Sequence, residues 1–325
     1  MSLKTIAEMT GVSISTVSRV LNGNMPTCAS AEVKERIWAA ANAINYRPNV
    51  SAKNLRCGTD DQTAYKVAVV HSRIHNLDDD PFFAELFQCI RRELLSRGMI
   101  LSAVSGAENR SIEDIESSDG IIILGRCSER LICSLRESTP NLVGIWRNIQ
   151  NFNIDEIVCD GKKAAAAAME HLMGLGHKKI AYIGDCSYES RYVGYCESII
   201  NHSLPLDYSL IVQTDQSENA GCEAMKQIAE SGKATAVLCA NDITALGALR
   251  ALRALHIKNI SVIAIDNTEK ACSSNPMLTT VNIPRDDMAH MAVRVLEDRI
   301  EGGHREYMRI EFPCRIVNRN SCFYV

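Results

Sequence analysis

The chain has 325 residues, of which 46% are hydrophobic and 23% charged, with a net charge of -4. This is the composition of a folded globular protein with room for a small domain plus a large one, or for two lobes of medium size, and it excludes a disordered or fibrous chain. No run approaches the ~20 apolar residues of a membrane span, and the polar opening Ser2-Leu3-Lys4-Thr5 has no apolar signal core, so the expected location is the cytoplasm.

The thirteen cysteines stand singly, with no Cys-x-x-Cys pair and no histidine at zinc-ligand spacing. They read as small buried hydrophobes in a reducing compartment. The net charge conceals an asymmetry: residues 1–58 carry seven basic and three acidic side chains, a balance of +4 against -8 for the remainder. The front end therefore has the electrostatics of a nucleic-acid binder, and the residue pattern has to decide whether it is one.

Ser2 is placed to cap a first helix with Leu3, Ile6, Ala7 and Met9 at helical spacing, which Gly11 ends. Ser13 is placed to cap a second, Ile14 to Asn22, with Val17, Val20 and Leu21 inward and Ser15, Ser18 and Arg19 outward. A third, capped near Ser30, carries Val33, Ile37, Ala41 and Ile44 inward and closes a three-helix core. Two short helices across a tight turn make a helix-turn-helix, whose second helix enters the major groove with Ile14 and Ser15 against base edges and Arg19 within reach of a guanine or a phosphate.

From Lys66 onward, short apolar runs alternate with amphipathic helices: Val67 to His71, Phe82 to Arg97, Ile100 to Val104, Gly120 to Leu124 and Leu142 to Ile145. A second series runs through Lys179 to Ile183, Leu210 to Gln213, Ala236 to Ala240 and Ser261 to Ile265. The expected fold class is α/β, with two doubly wound parallel lobes and a ligand cleft between their strand ends. Gly174-Leu175-Gly176-His177-Lys178-Lys179 has the residues of a phosphate loop but follows a helix and precedes a strand, so it reads as a helix C-cap. The loop from His71 to Asp80 places His-x-x-x-His beside three aspartates; without a helix to align ligands it reads as a solvated loop at the cleft mouth, and no metal or cofactor is expected. With no nucleophile elbow, framed carboxylate pair or metal motif, the chain is not expected to be an enzyme, and no catalytic residue is assigned.

The run Gly11-Val12-Ser13-Ile14-Ser15-Thr16-Val17-Ser18-Arg19-Val20-Leu21-Asn22-Gly23, with Asn45-Tyr46-Arg47-Pro48-Asn49 behind it, resembles the headpiece of the lactose-repressor and galactose-repressor family of bacterial transcription regulators. Asp80-Pro81-Phe82-Phe83, Asp119-Gly120-Ile121-Ile122, His171 to His177, Ala240-Asn241-Asp242-Ile243-Thr244-Ala245-Leu246-Gly247-Ala248 and Pro276 to Val281 look like signature stretches of its effector-binding domain, so the resemblance covers essentially the whole chain.

The resemblance implies a helix-turn-helix headpiece at 1–48, a hinge helix and linker at 49–65, and a periplasmic-binding-protein-like effector domain at 66–325, with lobe 1 at about 66–159 and 285–311 and lobe 2 at about 160–284 and 312–325. It implies a repressor that binds a palindromic double-stranded DNA operator as a homodimer and answers to a small effector, a sugar or sugar derivative. Implied DNA contacts are Ile14, Ser15, Thr16, Ser18, Arg19 and Asn22, then Asn49, Ala52 and Leu55, with Leu55 either a minor-groove wedge or an ordinary linker residue. Implied effector contacts are Phe82, Arg191, Asn241 and Asp266, the last with a turn cap as its alternative. Trp146 departs from the aspartate of many sugar-binding relatives and is expected to offer the ligand a stacking face, and Gln216 falls near where relatives often carry an aromatic. The segment Ala245 to Leu252 is either a dimer surface or core packing.

Overall fold

In the computed structural model of the chain, the residues described are 3–22, 29–44, 64–72, 77, 80–106, 115, 117–146, 148, 150–187 and 189–325. The motif at 45–49, the hinge helix with Asn49, Ala52 and Leu55, and most of the loop with His75, Asp78 and Asp79 lie outside them.

The headpiece is three helices, α1 (Leu3–Thr10), α2 (Ile14–Asn22) and α3 (Ala31–Ala43). Gly11, at φ +68°, closes α1 through its amide to the Ala7 carbonyl, and the Ser13 hydroxyl caps α2 by accepting from the Thr16 amide at 3.1 Å. Ile6, Val17, Leu21, Ile37 and Ala41 form the core, whereas Met9, expected on the inner face of α1, is exposed.

Beyond the headpiece the chain runs β1 (Lys66–His71), α4 (Pro81–Ser96), β2 (Ile100–Gly106), β3 (Gly120–Leu124), α5 (Glu129–Ser138), β4 (Leu142–Trp146) and β5 (Asp155–Val158). It continues α6 (Gly161–Gly174), β6 (Ile180–Gly184), α7 (Ser190–Asn201), β7 (Ile211–Gln213), α8 (Glu218–Ser231), β8 (Ala236–Cys239), α9 (Asp242–Ala254), β9 (Ser261–Asp266), α10 (Glu269–Ser273) and β10 (Thr279–Asn282). Last come α11 (Arg285–Ile300), β11 (Arg309–Glu311) and β12 (Arg315–Val317). The strands form two six-stranded sheets, β11-β5-β4-β3-β1-β2 and β12-β10-β9-β8-β6-β7, parallel except for β12 against β10. Strands such as Gly-Ile-Ile-Ile-Leu of β3 are apolar throughout because helices cover both faces of a parallel sheet.

β5, absent from the sequence expectations, is a four-residue strand beginning Asp155-Glu156 and fully buried. The Asp155 carboxylate accepts from the Met308 amide at 2.8 Å, Arg299 Nη2 at 3.0 Å and His304 Nε2 at 3.0 Å, and Glu156 accepts from Arg309 Nε at 2.6 Å and Trp146 Nε1 at 3.2 Å. Burial lowers the proton affinity of His304, but the Asp298 and Asp155 carboxylates on its two ring nitrogens outweigh it and raise the pKa. These cations arrive from α11, the loop behind it and β11, more than a hundred residues away in sequence, and they lock the end of lobe 1 together.

The apolar face of α9 is consumed inside lobe 2, against α8: a Cβ on Gly247 would lie 1.9 Å from the Glu218 carbonyl oxygen, and Ala245, Ala248, Ala251 and Leu252 are buried. Core packing is therefore the role of Ala245 to Leu252. Gly174-Leu175-Gly176 ends α6 ahead of β6, as a helix C-cap does.

Asp155→Ala strands Arg299 and His304 beside a dry strand and is expected to cost about 3–5 kcal/mol. Urea denaturation would check it: a midpoint unchanged from the parent would show that the network stabilises nothing.

Candidate functional site

The carboxyl ends of both sheets face a cavity of about 890 Å³ between the lobes. Lobe 1 lines it with Ser72 after β1, Asp80 and Phe83 at the start of α4, Gly125 and Arg126 after β3, and Trp146 and Asn148 at the end of β4. Lobe 2 contributes Asp185 and Glu189 after β6, Arg191, the stretch Gln213 to Ser217, and Asn241 and Ile243 at the start of α9. Ligands of doubly wound sheets bind at such strand ends.

Arg191 is the most constrained group on the lobe 2 wall. Its Nε donates to Glu189 Oε1 at 2.8 Å and its Nη2 to Glu189 Oε2 at 2.9 Å, both side chains being buried. Nη1 reaches the Ala240 carbonyl at 2.5 Å and Nη2 the Gln216 Oε1 at 3.0 Å. Burial alone would lower the Arg191 pKa, but the Glu189 carboxylate dominates and raises it, so the guanidinium stays charged. Most of its five N–H donors are committed to protein acceptors before any ligand arrives. Gln216, at φ +66°, is thereby part of the arginine's cradle.

Asn241 caps α9, with Oδ1 accepting from the Thr244 amide at 3.0 Å and its hydroxyl at 2.6 Å. Occupied in this way, Oδ1 leaves the amide nitrogen as the group Asn241 presents to the cavity it lines. Next to it, Asp242 holds the wall together by accepting from the Thr268 amide at 2.7 Å and the Thr280 hydroxyl at 2.6 Å. Burial, and secondarily the Asp266 charge, push its pKa up to about 7. A carboxyl raised in the folded state stabilises that state fully below its unfolded pKa and progressively less as pH climbs to about 7.

Three of the five expected effector residues, Trp146, Arg191 and Asn241, line the cavity; Phe82 and Asp266 do not. Phe82 is packed in the core and the half-buried Phe83 faces the cavity in its place. The phase of α4 carries this information: Phe82, Leu86 and Ile90 make the inward stripe at intervals of four, which turns Phe83 out. Asp266 lies buried at the end of β9, where its carbonyl accepts from Arg285. Trp146 reaches the cavity but does not offer it an open ring face. Its indole lies over Gly144, where a Cβ would sit 1.9 Å from Cη2, with Phe152 edge-on at 6.2 Å, and its side chain is 2% exposed. The expected stacking face is covered, and among the described lining residues Phe83 is the accessible aromatic. Asp80, which caps α4 through the Phe82 amide at 2.9 Å, was expected only as part of the loop at the cleft mouth, and Glu189 was not expected at the site at all.

At the other end, Ile14, Ser15 and Arg19 stand exposed on one side of α2, opposite the buried Val17 and Val20, and Thr16 and Ser18 are partly exposed beside them. The backbone of Asn22 ends α2; its side chain lies outside the description. Among the described residues no helix is long and apolar enough to cross a membrane.

A helix-turn-helix with an open recognition face, coupled to a two-lobed domain with a polar central cleft, is the construction of an effector-controlled DNA-binding regulator. Residues 2–49 match the model for bacterial regulatory proteins of the lacI family, and residues 169–322 match the periplasmic binding protein-like domain. The chain thus joins a lacI-family helix-turn-helix domain to a periplasmic-binding-protein-like domain. It is 28% identical to the HTH-type transcriptional repressor PurR of Photorhabdus laumondii, over 98% of this chain and 96% of that one, and 28% identical to PurR of Erwinia tasmaniensis over the same shares. Among solved structures it is similar to the complex of the regulator CelR with cellobiose (TM-score 0.71, 26% identity, 99% of this chain and 100% of that one). It also resembles the lac repressor dimer bound to operator and the anti-inducer ONPF (TM-score 0.67, 24% identity, 99% of each).

Removing Arg191 alone takes from the buried Glu189 carboxylate its bidentate arginine, so Arg191→Ala is expected to destabilise the fold by about 3–5 kcal/mol. The double variant Glu189→Ala/Arg191→Ala should recover much of that loss. Equal melting temperatures for the two variants would contradict the pairing.

Proposed function

We propose that the chain acts in the cytoplasm as a homodimeric repressor and that its effector is an uncharged carbohydrate or carbohydrate derivative held in the interlobe cleft. The observation that carries the ligand class is the charge of the cleft lining. Among the described lining residues, Glu189 neutralises Arg191, and what remains is Asp80, Asp185 and Asp215 against Arg126. A phosphate or carboxylate would enter an acidic cavity whose buried arginine is already paired, at an unfavourable Coulomb energy. Hydroxyl groups, which donate as well as accept, suit carboxylates and the amides of Asn148, Gln213 and Asn241, and Phe83 supplies an apolar patch for a sugar face. The similarity to CelR, solved with cellobiose, supports the same class.

For DNA we assign Ile14, Ser15, Thr16, Ser18, Arg19 and Asn22 of α2 to the major groove, where a bidentate arginine–guanine pair contributes about 1–3 kcal/mol of discrimination. Leu55 is assigned to the minor groove as a wedge, with Asn49 and Ala52 on the same hinge helix. A dimer follows from the twofold operator, since one headpiece reads a single half-site.

Thermal unfolding of the purified protein with cellobiose, glucose, ribose, glucose 6-phosphate and adenine tests the ligand class. A neutral sugar at a hundred times its dissociation constant should add about 2.7 kcal/mol of stability. Stabilisation by the sugar phosphate or by adenine, with none from the neutral sugars, would overturn it.

A further inference from the structure

Glu189 is a poor choice for the position it occupies. It is the N-cap of α7, where the shorter side chains of serine, threonine, aspartate and asparagine serve best. Its Oε1 lies 3.4 Å from the Arg191 amide, too long for a strong cap bond. The extra methylene instead carries the carboxylate to the Arg191 guanidinium, with Oε1 2.8 Å from Nε and Oε2 2.9 Å from Nη2. Two parallel N–H···O bonds of this kind are how an arginine grips the carboxylate of a ligand. The two side chains are only 3% and 4% exposed, yet both residues line the cleft. On the other flank of the guanidinium, the Ala240 carbonyl accepts from Nη1, and Gln216 Oε1, held by a left-handed backbone at φ +66°, accepts from Nη2. Four of the five N–H donors therefore have acceptors among the described residues, which leaves one Nη1 hydrogen for a ligand oxygen.

We infer that Glu189 is a specificity-determining residue of the cleft: its carboxylate fills the arginine fork as an internal stand-in for a ligand anion, and so restricts effectors to those that offer Arg191 a neutral oxygen. The role rests on the assignment of an uncharged effector and supplies a cause for it. Discrimination of this kind works by disfavouring the wrong ligand, since an anion would have to displace Glu189 from its arginine before it could be gripped. Once the Glu189 carboxylate is removed, the same wall becomes a carboxylate receptor. The fork of Arg191 is open, and the start of α7, a helix of 12 residues, adds a field that favours negative charge. Asp80, Asp185 and Asp215 oppose an anion in the cleft, so the affinity gained is modest and the probe has to be concentrated.

Glu189→Ala removes a CH2–COO fragment, the size of one acetate ion, which makes acetate the probe. Melting temperatures of the full-length parent, Glu189→Ala and Glu189→Ala/Arg191→Ala are compared at neutral pH in sodium acetate and in sodium chloride of equal ionic strength. Acetate at about ten times its dissociation constant multiplies the folding equilibrium by about tenfold. Glu189→Ala should therefore melt a few degrees higher in acetate than in chloride, whereas the parent, with its fork filled, and the double variant, without a fork, should melt alike in both. Where Glu189→Ala does not fold, Glu189→Gln takes its place: it keeps the shape and loses the charge, and acetate should stabilise it from the cavity side. Acetate that stabilises neither single variant overturns the role of Glu189. So does acetate that stabilises the parent or the double variant as much as the single one. The probe is acetate throughout, so failure here is separate from failure of the carbohydrate assignment, which falls when neutral sugars leave the parent unstabilised.

Discussion

The chain passes three times between two sheets whose strand ends face each other, once after β5, once after β10 and once after β11. With three crossings the lobes cannot separate, and their relative motion reduces to hinging about those segments. A small molecule in the cleft touches both lobes at once, and differential contact there biases their closure. Arg285 sits at the second crossing. It donates to the Asn267 carbonyl at 2.9 Å on lobe 2 and pairs with Glu85 of α4 at 2.9 Å, and Glu85 accepts from the Glu269 amide at 3.0 Å. Lobe closure is thus communicated to α4 close to its start, beside the cleft residues Asp80 and Phe83.

Charge is handled in two ways along this frame. In β5 a carboxylate is buried against an arginine from a remote segment, and on the lobe 2 wall against one two residues along the chain, and each pair is neutral and structural: Asp155 with Arg299, Glu189 with Arg191. Pairs of this kind add little net stability compared with apolar packing but are costly to break from one side. In the cleft the carboxylates of Asp80 and Asp215 each hold a neighbouring backbone amide through one oxygen, which fixes their orientation towards the cavity. The contrast explains why the arginine singled out in the sequence serves chiefly to build the wall, while acids and amides set its chemistry.

Much of the architecture was legible because its signals are local. The helix-turn-helix rests on Gly11, Ser13 and the 17-20-21 stripe, and β1, β3, β6, β8 and β9 are apolar runs that read as buried parallel strands wherever they occur. β5 was not legible, since Asp155-Glu156 becomes a strand only when Arg299, His304 and Arg309 arrive from the end of the chain. β11 and β12, three residues each, are too short to show a period. At the site, Arg191 and Asn241 were readable as motif positions, but the pairing of Arg191 with Glu189 two residues away was not, because nothing in the spacing says which way either side chain turns. Trp146 was assigned a stacking role from its residue type, and the glycine two positions earlier, which lets the indole fold back over β4, is what cancels it. Phe82 and Phe83 were separable by helical phase, and the motif match pointed at the wrong member of the pair.

The headpiece and the cleft matter to each other only if filling one changes the affinity of the other. The most direct measurement is the dissociation constant of the protein for an operator fragment selected from genomic DNA, read by fluorescence anisotropy at fixed salt with and without the neutral sugar that stabilises it. Coupling of two sites in one regulator should change that constant by about 5- to 150-fold in either direction. A sugar that binds the cleft at saturation and leaves the operator affinity unchanged would contradict the coupling.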